Sequence, residues 1–160
     1  MIKELGTYKT KLSSILKHSE PIRKLLLGPE YTEDMAGADN ALDEYIRPHL
    51  YADHSITGTH SYLFYDTGIA GMQSNTKTMK LVIQILTHRD CLPREIQGYE
   101  GTEADILAAM VEGELCGNLS ARESMSSFGI GRLELIPPLE ILSYPDYYGK
   151  ELVFHVPDFR

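Results

Sequence analysis

The sequence is short of the features that would announce a chemistry. Of its 160 residues only two are cysteine, Cys91 and Cys116. That is too few for a disulfide framework, and their spacing fits no zinc motif. They read as buried free thiols, which behave as small hydrophobes. Basic charge is scarce as well: 15 Lys and Arg face 23 Asp and Glu, for a net charge of -8. A protein that grips nucleic acid neutralises phosphates with clustered Lys and Arg. Here the densest basic pairs, Lys9/Lys11 and Arg23/Lys24, sit on predicted helices as solvated faces, so sequence-specific DNA binding is not expected. No apolar run approaches the ~18 residues of a membrane span, so no membrane partner is expected. Residues 1–6 lack the apolar stretch of a signal peptide, and the chain is expected to be made and kept in the cytosol.

What is present is an ordinary globular composition, with 42% hydrophobic and 24% charged residues. It is long enough to bury one good core. Leu12, Ile15, Leu16, Ile22, Leu25 and Leu26 recur at helical spacing over Thr7–Leu27. The run breaks at Ser19-Glu20-Pro21, where Ser19 is suited to an N-cap and Pro21 to a first turn, and Gly28-Pro29 ends it. Residues 29–39 read as polar loop, and Asn40–Ile46 as a short helix capped by Asp39 and stopped by Arg47-Pro48. Ser61–Asp66 is aromatic and extended. Lys77–Thr87 places Met79, Leu81, Ile83 and Ile85 on one face and Val82 and Leu86 on the other, the pattern of a central strand buried on both sides. Residues 67–76 between them read as a glycine-rich loop. Thr102–Cys116 is a helix with a box-like cap from Thr102 to Asp105 and one apolar stripe, Ile106, Leu107, Met110, Val111 and Leu115. Two strand-like runs follow, Arg132–Ile136 and Lys150–Val156, stopped at Pro137-Pro138 and Pro157. The expected architecture is α+β, in the order α-α-(α)-β-β-α-β-β. It has a small mixed or antiparallel sheet of about four strands flanked by helices, in one domain over residues 1–160.

Candidate chemistry is thin. His49, His54 and His60, with Asp53, are spaced by five and six residues across a predicted loop; helical metal pairs return to one face after three or four. Surface histidines near a turn fit better, and a metal-dependent enzyme is the weakest reading. His88-Arg89-Asp90-Cys91 is better explained as a strand exit than as a thiol with its base. Gly129-Ile130-Gly131-Arg132 lacks the third glycine of a dinucleotide loop and precedes a strand; two glycines there permit a sharp turn into the sheet. No enzyme, cofactor or metal is expected. Partner contact is one expectation for Ile69, Gly71 and Met72 in the loop at 67–76 and for Met125 and Phe128 in the loop at 118–128 with Gly129 and Gly131 after it, since methionine at a flexible tip adapts its shape. The alternative, that these side chains fold back as lids on the core, stands equally. Leu152 and Phe154 belong to a last strand open to pairing with a neighbouring subunit at a sheet edge.

The succession of an N-terminal helical segment ending in a leucine cluster, a short helix before Arg47-Pro48 and two strands resembles tailed-bacteriophage tail terminator, or tail completion, proteins. So do the Thr102–Cys116 helix followed by Gly129-Ile130-Gly131-Arg132-Leu133-Glu134-Leu135, and the closing Tyr148-Gly149-Lys150-Glu151-Leu152-Val153-Phe154. The resemblance covers most of the chain and fits residues 29–60 less well. It implies a structural virion protein without catalytic residues, assembled in the host cytoplasm and located at the tail–neck junction. Such a protein forms a ring, commonly a hexamer, that caps the tail tube protein and offers a surface to the neck or connector protein. DNA passes through the lumen without specific binding, and an acidic balance suits such a channel. The alternatives are a neck or head-closure ring of the same phage and a non-viral soluble adaptor domain.

Overall fold

The computed structural model describes residues 2–28, 31–32, 35–50, 58–92, 95–116, 129 and 131–160. In chain order it has helices α1 (Lys3–His18), α2 (Glu20–Leu27) and α3 (Ala38–Tyr45), then strands β1 (Ile46–Arg47), β2 (Ser61–Met72) and β3 (Thr76–His88). Helix α4 (Glu103–Cys116) follows, and then strands β4 (Glu134–Leu135), β5 (Glu140–Ser143) and β6 (Tyr147–Phe159). The fold is α+β, as its residues predict, but where about four strands are expected the described residues form an open six-stranded sheet in the order β1-β2-β3-β6-β4, with β5 also on β6. Among the described residues only the β1–β2 pairing is parallel.

The sheet is organised by β3, which pairs with β2 from Ser61↔Thr87 to Met72↔Lys77 and with β6 from Thr76↔Phe159 to His88↔Tyr147. Its two apolar faces follow from that position. Met79, Leu81, Ile83 and Ile85 join the main core with Leu63 and Tyr65 of β2 and Leu152, Phe154 and Val156 of β6. This face is covered by Leu12 and Leu16 of α1, Leu25 of α2 and Leu107, Met110 and Val111 of α4. On the opposite face Leu86 meets Tyr62 and Phe64, with Tyr45, Leu50, Leu142 and Tyr147 packed around them. The α4 cap forms as its residues predict: the Thr102 amide donates to Asp105 Oδ2 at 3.0 Å, and the Asp105 amide to Thr102 Oγ1 at 3.3 Å.

Elsewhere the structure differs from the reading of the residues. The expected loop at 67–76 is mostly strand. Strand β2 runs on to Met72, with a bulge between Ile69 and Gly71, and Gln73 closes the turn by donating its amide to the Thr76 carbonyl. Glycines disfavour strands on entropy by about 0.5–1 kcal/mol each, but long pairing with an apolar partner carries the strand through them. Ser19 stands at the α2 N-cap without capping it, because its hydroxyl donates to Glu114 of α4 at 2.9 Å. Helix α3 begins at Ala38 after Gly37, and Asp39 turns outward to Arg23 instead of capping. Pro157 does not end β6. Among the described residues that strand has a partner on one side only beyond His155, so a missing amide proton costs no ladder bond there. Strand β5 went unpredicted. It continues β4 along β6, and the chain from Leu135 to Glu140 advances five positions while Phe154 to Glu151 advances three; the surplus bulges out at Pro137-Pro138.

Gly149 illustrates how closely β3 and β6 approach. A Cβ at this position would lie 1.6 Å from the Ile85 carbonyl oxygen. Gly149→Ala is expected to lower stability by about 1–3 kcal/mol through overpacking, and Phe154→Ala by about 3–5 kcal/mol through the cavity it leaves. Urea unfolding of the two variants measures both, and a loss below 1 kcal/mol for Phe154→Ala would contradict its place in the core.

Candidate interaction surface

The β2–β3–β6 register gathers five of the residues expected at a partner surface to one end of the sheet. Ile69 lies opposite Met79, which lies opposite Val156. Gly71 pairs with Thr78, and Thr78 with Pro157; Met72 pairs with Lys77, and Lys77 with Asp158. Gly129 and Gly131 come up against the same stretch of β6. A Cβ on Gly129 would stand 2.2 Å from the Pro157 carbonyl oxygen, and one on Gly131 would stand 2.4 Å from the Pro157 ring. Their role is close passage across β6, and Gly129 also sits at φ 61, a left-handed conformation natural to glycine. Met72 is 43% exposed, whereas Ile69 is half-buried against the core. Met125 and Phe128 lie outside the described residues, as do His54 and Asp53.

Leu152 and Phe154 are placed differently from the expectation. Both are buried in the main core, and β6 is an inner strand with β3 on one side and β4 and β5 on the other. Alternation decides this: both residues share the face that α1 and α4 cover. The edge on that side belongs instead to β4 and β5. His49 and His60 are ring neighbours of Phe64 and Tyr45 respectively. His88 ends β3 edge-on to Tyr147 and accepts the Asp90 amide at 3.1 Å, so the His88–Cys91 stretch is a turn leaving the strand. Among the described residues no group of His, Cys, Asp and Glu is arranged to hold a metal ion.

Two residues that sequence reasoning passed over complete the end surface. Phe159, opposite Thr76, is 67% exposed, and Ile2, one turn before Leu5 of α1, is 75% exposed. At the same end, on the helix face, runs a polar seam between α1 and the sheet. Lys77, 1% exposed, is paired with Glu4, and the Tyr8 hydroxyl donates to Asp158. Burial, and then the Asp158 carboxylate, raise the Tyr8 pKa well above the ordinary phenol range, so Tyr8 stays a neutral donor. The Thr67 hydroxyl adds a bond to the Leu5 carbonyl at 2.9 Å. The seam anchors the first turns of α1, so that the apolar tips of Ile2, Met72 and Phe159 are presented by a fixed scaffold. Alternation carried from Leu152, Phe154 and Val156 through Pro157 reaches Asp158, so Phe159 falls on the opposite face and carries no periodic signal in the sequence.

On the same helix-covered face, toward the other end of β6, Lys150 bonds Asp105, and on the α2–α4 side a cavity of about 570 Å³ is lined by Leu25, Tyr31, Ile96, Tyr99 and Met110. The fold and its surfaces thus define a small α+β protein with helices on one face of an open sheet and apolar contacts at its rim. The YomW family matches residues 19–156, and the chain belongs to that family. The family's name suggests a Bacillus phage-derived protein and agrees with a phage origin. A comparison with curated proteins finds no match.

The buried cation makes the seam testable. Removing Glu4 leaves the Lys77 ammonium in the core end without its counter-charge, so Glu4→Ala is expected to lose about 1–3 kcal/mol, whereas Lys77→Met is expected to be neutral or stabilising. Equal losses from the two, in chemical denaturation, would mean that the pair stabilises on balance. Asp105 gives a pH signature. Its pKa is lowered first by the bond from Lys150 and further by the Thr102 cap. A depressed carboxylate contributes above its unfolded value and loses that contribution as pH falls through its folded value. The stability gap between the wild type and Asp105→Asn is therefore expected to be constant at neutral pH and to shrink below about pH 4. It should not exceed about 1 kcal/mol, since both partners are about one-third exposed. A gap that grows on acidification would contradict this.

Proposed function

We propose that the protein is a structural virion component that forms a ring at the end of a phage tail tube and joins it to the neck or connector. The observation that carries the reading is the match to a family of phage-derived name over most of the chain. It is taken together with the element order that resembles tail terminator proteins. The end surface supports it further. A β-hairpin held by a full-length third strand presents exposed Met72 and Phe159, and exposed apolar tips on a rigid scaffold suit a protein contact. The net charge of -8 suits a lumen that must release DNA, because repulsion of phosphates prevents sticking. In this reading the ring contacts the tube protein through the hairpin end.

Negative-stain electron microscopy of the protein, alone and mixed with purified tail tubes, tests the proposal, with light scattering for mass. Rings with a central hole, or density at one end of the tubes, are expected, and Met72→Asp with Phe159→Asp is expected to reduce the capped fraction without unfolding the protein. A monomer at high concentration that leaves tube ends bare would overturn it.

A further inference from the structure

The sheet has two unfinished edges, on opposite sides. Strand β2 pairs with β1 only at Leu63 and Phe64, so among the described residues its outer side from Tyr65 to Met72 has no strand partner. Strand β5, on the far side, has none beyond β6. An unpaired edge is a row of open amide and carbonyl groups, which proteins usually blunt with lysine, proline or a bulge. Pro137-Pro138 blunts the link between β4 and β5, but β5 itself, Glu140-Ile141-Leu142-Ser143, carries no such residue.

The two edges are also complementary. On β5, Leu142 packs into the cluster on the second face, so Ile141 points to the helix face, and it is 83% exposed. On β2, the same face borders an open groove of about 530 Å³ beneath α1, walled by Gly6, Thr10, Pro48 and Tyr65. Charge follows the same division. Helix α1 carries Lys3, Lys9, Lys11 and Lys17 against Glu4, a net +3, within a chain of net -8. Residues 134–146 carry Glu134, Glu140 and Asp146 and no Lys or Arg. Lys9 reaches around the β2 edge to Asp66, 2.9 Å away. Asp66 lies on the second face, in alternation with Phe64, and Glu140 of an incoming β5 would project from that same face.

We infer that copies of this chain associate head to tail by sheet continuation. Strand β5 of one copy pairs with the outer edge of β2 in the next, Ile141 enters the groove beneath α1, and Glu140 approaches Lys9. The contact joins two different patches, so it propagates until it closes on itself or forms a filament. The inference rests on the ring reading above for its closure, and names the surfaces by which the ring would be built.

Two single variants, Ile141→Cys and Thr10→Cys, test it by mild oxidation, separately and mixed, followed by non-reducing gel electrophoresis. Wild-type protein with Cys91 and Cys116 serves as the control. A disulfide-linked dimer is expected in the mixture and not with either variant alone. Sedimentation of the wild type, Ile141→Asp and Glu140→Lys is expected to show a concentration for association raised about tenfold or more in both variants, equivalent to about 1.4 kcal/mol. Lys9→Glu is expected to restore part of the loss in Glu140→Lys. Rings that form without the mixed cross-link, and that Ile141→Asp leaves intact, would overturn the inference and leave the proposed function standing. Cross-linked rings that ignore tail tubes would do the reverse. Dimers linked by Ile141→Cys alone would show a two-fold contact and overturn the head-to-tail geometry. Protein that stays monomeric and unlinked, with tubes and without them, would overturn it too.

Discussion

The fold depends on the pairing of one strand along both of its sides. Among the described residues strand β3 alone has a full-length partner on each flank, and its residues feed two separate apolar clusters on opposite faces. Burying Leu81, Ile83 and Ile85 on one face and Leu86 on the other removes more apolar surface than an outer strand could, at about 25 cal/mol per Å². Every other element is then placed relative to that plane. Helices α1, α2 and α4 must cover the wider apolar face. Strand β6 must approach β3 closely enough that position 149 has no room for a side chain, and the rim falls to whatever the chain has left.

That hierarchy explains what the residues disclosed. The two-faced pattern at 77–87 and the capped stripe at 102–116 are strong periodicities in which local preference and tertiary placement agree, and both were legible. The break at Ser19 was legible too, though not the partner of its hydroxyl, since Glu114 is 95 residues away in sequence. The misplaced boundaries share one cause. Gly68, Gly71 and Pro157 each weaken a strand locally, and pairing with β3 carries the strand through all three. Strand β5 has only four residues and exists because β6 offers its other side, a fact with no local signature.

The surface was partly legible for related reasons. Ile69, Gly71, Met72, Gly129 and Gly131 read as separate positions in the sequence, and only the strand register and the packing of the two glycines on Pro157 show that they meet at one end. Leu152 and Phe154 look like edge residues in the sequence because an apolar run of this kind reads equally well as an edge or as a centre. Only the partners on both sides of β6 separate the two. The buried Lys77 is the reverse case. Its charge reads as exposure, yet Glu4, from the first turn of the chain, neutralises it at the end of the core.

The order in which the strands occur in the chain has a consequence for synthesis. Strand β3 acquires its second neighbour only from residues 147–159, and the first helix is fastened to that same segment through Tyr8 and Asp158. While the nascent chain lengthens past residue 88, the strand meant for the middle of the sheet has one flank bare, and the aromatic hairpin beside it is an adhesive surface. Distant pairing of this kind closes slowly. The ribosome must therefore deliver residues 147–159 before the most extensively buried strand is sheltered, and in that interval a neighbouring nascent chain competes for the same flank.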